Sequence, residues 1–434
     1  MKKAGMILAS VLFAGSVLSG CSGAGGKSEP AAPAKNESGD KPAGVVNLKY
    51  WVPFSGGDGD FMKAMVEKFN QSQQEIKVEM LNVKNEEYYT KLRTALVAKQ
   101  GPDVSVAHVS KLPELVSTNA LESLDEVAKE AGVDWNSFTP NILNATVYNS
   151  KHIAIPLDTH AEIMFYNKKI LGDAGLLDAN GKPKIAPGAD GFTAFLKEIK
   201  SKVPADVMPM ATTSNGNQPF WIWWTLYSQM GGKMLSDDGK KATINNEKSV
   251  KALQLMSTMV KEGYWPKNIK NGGEIFSTGK AAISLNGVWF TGAAEQAKGL
   301  EFGAIPVPQL YDKKAVWGDS HTLVVPIQAK KDQKKFVAAV KFANWLADNG
   351  VMWSKAGHVP SKPAIMNSQE FKSQPYRSEY VEIANYVSFT PNHEKAYAIG
   401  DIMRANLDLL MNGQASAEDV LKKAEKEAND LLAK

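Results

Sequence analysis

Between residues 46 and 106, three short segments alternate apolar with polar side chains, and two longer segments between them repeat apolar residues at helical spacing. Val46, Leu48 and Tyr50 alternate against Asn47, Lys49 and Trp51. Ile76, Val78 and Met80 alternate likewise, and Val104-Ser105-Val106 makes a third strand. Phe61, Met65, Val66 and Phe69 form one face of a helix, with Asp58 or Asp60 as candidate cap after the glycine-rich turn 55–59. Tyr88, Tyr89, Leu92, Ala95 and Leu96 mark a second helix, with Asn85 as candidate cap and Gly101-Pro102 as its stop. Strands alternating with helices commit the chain to an α/β fold, with parallel or mixed sheets and right-handed crossovers. In such sheets ligands bind beyond the carboxyl ends of the strands. Trp51, Phe54, Asp103 and His108 are expected at or just past strand ends, where one cleft can collect them.

The pattern resumes near residue 153. Ile153 to Pro156 leads to Asp158 and His160, and Ile163 to Asn167 reads as a buried strand. Helices are expected over 192–202, 249–262, 336–347 and 416–434, and strands over 208–210, 281–285, 302–306 and 322–326. A tryptophan-rich helix, with Phe220, Trp221, Trp223, Trp224 and Tyr227, follows the polar loop 214–218. The roughly 390 residues after residue 44 exceed what one hydrophobic core organises, so two lobes are expected.

The N-terminus carries different information. Lys2 and Lys3 precede an apolar run from Met6 to Leu18, then Leu18-Ser19-Gly20-Cys21. A basic head, a short apolar core and small residues before a cut are the requirements of a secretory signal. The run is short of the about 20 residues that span a bilayer. Cys21 is the only cysteine, and its setting resembles the bacterial lipobox, whose cysteine is lipidated and becomes the new N-terminus. Residues 1–20 are read as a lipoprotein signal peptide, and 21–44 as the lipidated cysteine and a linker of Gly, Ser, Pro, Ala and charge that cannot bury enough surface to fold. The expected address is the outer face of the cell membrane.

Composition excludes several classes. Net charge is +4 with scattered lysines and no basic stripe, which argues against nucleic acid. One cysteine rules out an intrachain disulfide and a cysteine-based zinc site. There is no nucleophile elbow, no phosphate-binding loop, no dinucleotide fingerprint and no HExxH. No enzyme and no cofactor is expected. His152, Asp158 and His160 contain potential ligand atoms, but their spacing does not define a metal site, and none is expected.

Tryptophan placement is more informative. Of ten tryptophans, Trp51, Trp289, Trp317 and Trp353 sit beside glycine, proline or loop ends rather than in periodic core positions. A pyranose has an apolar C–H face that stacks on an aromatic plate and a rim of hydroxyls that needs carboxylates, amides and imidazoles. Asp103, Asp158, Asp319, His108, His160 and His321 lie near such aromatics in sequence.

These segments carry a resemblance. Residues 46–69 (VNLKYWVPFSGGDGDFMKAMVEKFN), GPDVSVAH at 101–108, IAIPLDTHAEIMFYNKKILGDAGL at 153–176, FSTGKAAISLNGVW at 276–289, FGAIPVP at 302–308, WGDSHTLVVP at 317–326 and AGHVP at 356–360 are similar to family 1 extracellular solute-binding proteins. That group includes the maltose- and oligosaccharide-binding proteins of ABC importers. The resemblance implies a type II periplasmic-binding-protein-like α/β fold. Each lobe would be a mixed sheet flanked by helices, with three hinge crossings and a carbohydrate ligand between the lobes. Lobe 1 would be 45–160 plus 302–350, and lobe 2 161–301 plus 351–434. The implied contacts are Trp51, Phe54, Ser55, Asp103, Asp158, His160, Trp289, Asp319 and His321. Trp223 and Trp224 are included for the variable aromatic loop, in which Trp221 also competes. The implied partners are ABC permease subunits, and the implied state is a monomer.

Two other classes stay open on sequence. A secreted carbohydrate-active enzyme needs two carboxylates across a scissile bond. The same fold could take a peptide or polyamine, while the scarcity of arginine disfavours an anion.

Overall fold

The computed structural model describes residues 44–54 and 57–434. The signal segment 1–20, Cys21, the linker up to residue 43 and Ser55 lie outside the described residues. Among the described residues fourteen strands run in chain order: β1 Val46–Val52, β2 Ile76–Asn82, β3 Val104–His108, β4 Val147–Tyr148, β5 Lys151–His152, β6 Ala154–Pro156, β7 Asp158–Asn167, β8 Met208–Met210, β9 Ala281–Gly287, β10 Phe302–Pro306, β11 Val316–Asp319, β12 His321–Val324, β13 Val359–Pro360 and β14 Val387–Ser388.

Most of them form two mixed sheets. The first has the order β2-β1-β3-β12-β6, parallel through β1, β2 and β3, with β12 antiparallel to both β3 and β6. The second has the order β14-β11-β7-β9-β8, with β10 and β13 also paired to β7. Strand β7 is its spine. All ten of its residues are buried, as expected of a strand covered on both faces. The alternation in β1 sends Leu48, Tyr50 and Val52 into the first core, where the Tyr50 ring meets Phe342 edge-on at 5.1 Å. Helices Gly57–Ser72 and Gln333–Asp348 cover that sheet. Helices Gly188–Lys202, Asn217–Gln229, Glu247–Lys261, Ala396–Met411 and Ala417–Leu432 build the core around the second. Among the described residues no helix is long and apolar enough to cross a membrane.

The chain passes between the sheets at three adjacent places. Leu157 separates β6 from β7, and Ser320 separates β11 from β12. The third passage enters β13 from the helix Gln333–Asp348. The passages are tied side by side: Leu157 N–H donates to His321 O (2.8 Å), Ser361 Oγ to Pro156 O (2.8 Å), and Ser320 Oγ to Asp158 O.

Several expectations need adjustment. Asp58 and Asp60 do not precede the first helix but lie in its first turn, and the second helix begins at Asn85 itself, after Lys84. Strands β10 and β11 pair with β7, so residues 302–319 belong to the second sheet, and the chain returns to the first at β12. The antiparallel register Phe302↔Asn167 through Pro306↔Ile163 sets this, a long-range pairing that local periodicity cannot carry. The helix Ala396–Met411, with Ile399, Met403, Leu407 and Leu410 buried, is an addition.

Candidate functional site

The site grows from strand register, where the carboxyl ends of β3 and β11 meet the starts of their antiparallel neighbours β12 and β7. In the first sheet β12 lies against β3 so that His321 faces His108; in the second, β11 lies against β7 so that Asp319 faces His160. Between the sheets is a cavity of about 670 Å³ lined by Phe54, Tyr89, Arg93, His108, Lys111, His160, Trp221, Trp289, Trp317, Asp319, His321, His358, Tyr397 and Arg404, among others. A second cavity of about 660 Å³ shares Asp58, Asn217, Trp221 and Trp289 with it and is rich in amides: Asn215, Gln218, Asn271, Asn286 and Gln296. Each falls in the range of small-molecule sites, about 300–1,000 Å³.

Two indoles, Trp221 and Trp289, line both cavities, and Trp317 lines the first. The Trp221 ring stacks on Trp317 at 4.1 Å and 17°, and Trp289 meets both edge-on at 5.4 and 6.3 Å. Trp289 depends on a glycine, because a Cβ at Gly287 would lie 2.1 Å from its ring. His358 depends on another. Gly357 has φ +114°, and a Cβ there would lie 2.0 Å from Val288 O.

Behind this wall one carboxylate gathers three imidazoles. Asp158 is fully buried; its oxygens face Nδ1 of His321 at 2.7 Å, of His160 at 3.1 Å and of His358 at 3.5 Å. They also accept the Trp353 indole N–H at 2.6 Å and the His321 main-chain N–H at 2.9 Å. Burial raises the Asp158 pKa, but the surrounding imidazoles outweigh it and hold the carboxyl well below its ordinary value. Burial disfavours a charge on His358 too, yet Asp58 and Asp158 prevail and raise its pKa. For His108 burial wins over the opposing pull of Asp319 and Asp158 and pushes it down to about 4, leaving a neutral ring whose Nδ1 is 2.5 Å from the Tyr89 hydroxyl.

The cations of the cavity are engaged. Arg93 pairs with Glu114 at 2.6 Å and Arg404 with Asp401 at 3.0 Å. Lys111 and Arg404 lie against the Tyr397 ring at 3.2 and 5.0 Å.

Of the sequence-derived candidates, Phe54, His108, His160, Trp289, Asp319 and His321 line the cavity, and Asp158 sits directly behind it. Four others are elsewhere. Trp51 packs with the Tyr88 and Leu92 cluster, under Lys91. Asp103 precedes β3 rather than ending it. It accepts Lys49 N–H at 2.7 Å and pairs with Lys335 at 3.2 Å, a strand length of roughly 16 Å from the His108 end. Trp223 and Trp224 are core residues, donating to Ser249 Oγ at 2.9 Å and Ser388 O at 2.8 Å; Trp221 is the indole of that helix that faces the cavity. His152 pairs with Asp125 on the surface, away from Asp158. Missed by sequence reasoning were Trp221 as the favoured ring, His358, Asp58, Tyr89 and the amides. The AGHVP segment held His358, but nothing local connects it to Asp158, 200 residues earlier in the chain.

Two mixed sheets, three adjoining passages and a ring-walled cavity between them define a solute receptor. The chain belongs to the bacterial extracellular solute-binding protein family, whose model matches residues 55–353; members of it bind a solute and do not transform it. The chain is similar to the diacetylchitobiose-binding protein DasA of Streptomyces coelicolor, 26% identical over 89% of this chain and 90% of that one. It is similar to the maltotriose-binding protein of Pyrococcus abyssi, 22% identical over 77% and 72%. Its fold matches the GacH receptor of Streptomyces glaucescens, solved unliganded and with acarbose, with a TM-score of 0.78, 19% identity and coverage of 90% and 99%.

Proposed function

We propose that this protein is the carbohydrate receptor of an ABC importer, and that it binds an oligosaccharide between its two sheets. The observation that carries this reading is the wall of Trp221, Trp289 and Trp317 flanked by the amides of the second cavity. Such rings offer plates to the apolar faces of sugars, and the amides offer both donors and acceptors to their hydroxyls. Relatives named for maltotriose and diacetylchitobiose support the substrate class. The paired state of Arg93 and Arg404 argues against a free anion as ligand.

Binding would favour a closed form over an open one by the difference in ligand affinity between them. One lobe would be built on the first sheet and the other on the second, with the three passages as hinge and residues 302–319 moving with the second. The closed form would then dock on permease subunits as a monomer. Cys21 would carry a lipid anchor and residues 22–44 would act as a leash, holding the receptor on the outer face of the membrane.

A thermal-shift panel of mono- and oligosaccharides tests the substrate. A sugar at 100 times its Kd should add about 2.7 kcal/mol of stability. If peptides or polyamines shift the melt and no sugar does, the carbohydrate reading fails. Fractionation of cells expressing Cys21→Ser tests the anchor: the variant should leave the membrane fraction with sugar binding intact, and retention there would count against lipidation.

A further inference from the structure

We propose that Asp158, His160, His321 and His358 form a binding site for one divalent transition-metal ion of the zinc class, at the point where the three passages between the sheets meet. Ligand atoms of these four buried residues all lie within 4.8 Å of one another. Three imidazole nitrogens and one carboxylate are the donor set that zinc and its neighbours favour, whereas calcium and magnesium require oxygen. The three nearest nitrogens are all Nδ1, and all face the same carboxylate.

His358 supplies the independent observation. Its ring is 1% exposed, and its Nδ1 makes no hydrogen bond, the nearest carboxylate oxygen, of Asp158, being 3.5 Å away. An orphaned buried nitrogen is costly and calls for an explanation. The rest of the ring is fixed: it lies flat against Trp353 at 4.6 Å and 2°, and Nε2 is 3.3 Å from the Asp58 carboxylate. An imidazole oriented through its outer nitrogen by a carboxylate, with its inner nitrogen left open, is the usual posture of a metal-bound histidine.

The position is as specific as the donors. Asp158 and His160 open β7, His321 opens β12, and His358 precedes β13. An ion bound by all four would cross-link the three passages. Tetrahedral ligands about 2.0–2.1 Å from zinc stand about 3.3 Å apart, so binding would draw the rings inward and displace the protons now shared with Asp158. His160, His321 and His358 also line the cavity, so the ion would lie beside the solute space, enclosed by its four ligands. The site does not depend on which solute the cavity takes.

The test uses the purified protein stripped with EDTA. Zinc titration by calorimetry should give one ion per chain, and cobalt(II) loading should give the visible bands of a four-coordinate nitrogen–oxygen site. His358→Gln and His160→Gln should each abolish stoichiometric binding, and Asp58→Asn, which only positions His358, should weaken it by about 10–100-fold. Failure of the unmodified protein to bind zinc or cobalt stoichiometrically overturns the site, whatever the variants do. Binding that survives both histidine changes, or that is lost on changing His152 or His393 instead, overturns it too.

Discussion

The carboxylate of Asp158 engages two nitrogens of His321 at once, ring Nδ1 at 2.7 Å and main-chain N–H at 2.9 Å. A single side chain therefore joins the first passage between the sheets to the second, and through the Trp353 indole it reaches the third.

Asp158→Asn tests the weight of that junction. The amide keeps the shape but replaces an acceptor oxygen with a donor that faces other donors. Breaking a buried charged network by removing one partner costs about 3–5 kcal/mol. The urea midpoint should fall accordingly, and an unchanged midpoint would show that the junction adds no stability.

Trp221→Ala should separate binding from folding. The ring is partly exposed to the cavity and rests on Trp317. A hot-spot aromatic at a binding surface contributes about 2 kcal/mol or more, which is about 30-fold in affinity. Calorimetry with the best sugar from the thermal-shift panel should record that loss with little change in melting temperature. Undiminished affinity would remove Trp221 from the site.

Trp223→Ala should do the reverse. That indole is fully buried, bonded to Ser249 and stacked on Tyr227 at 5.2 Å and 19°. Large-to-small replacement of a buried tryptophan costs about 3–5 kcal/mol. Denaturant unfolding should show it, while the folded fraction should bind sugar with the parent affinity.

Asp125 gives a pH signature remote from the cavity. Burial tends to raise its pKa, but hydrogen bonds from the His152 ring at 2.6 Å, the His152 main chain and Ser123 outweigh burial and lower it. A depressed carboxylate contributes stability that is complete above its unfolded pKa of about 3.9 and is lost as pH falls through the lower folded value. The group is part-exposed, so the contribution should be below about 1 kcal/mol. Stability curves of Asp125→Asn and the parent should converge in acid and separate above about pH 4; parallel curves would contradict this.

Periodicity made the fold readable where one face of an element is buried. Leu48, Tyr50 and Val52 announce β1 because the alternate positions stay polar or half-exposed. The Asn217–Gln229 helix defeats the same logic. From Gln218 to Gln229 every residue but Trp221 is buried, so no polar stripe tells which indole faces the cavity. Asp103 was misplaced for a different reason. A strand has two ends, and only its carboxyl end, at His108, meets the cavity. The grouping of His358 with Asp158 follows from β13 lying beside β7, a pairing set by the tertiary fold.

The indole trio has an optical consequence. Trp221 and Trp317 are nearly parallel, while Trp289 stands at 76° and 88° to them within 6.3 Å. Transitions of chromophores that close and that skewed mix with one another. The near-ultraviolet dichroism of the protein should therefore carry a coupled signal from the cavity itself. A molecule that wedges against Trp289 should change that signal, so the dichroism would report occupancy without a label.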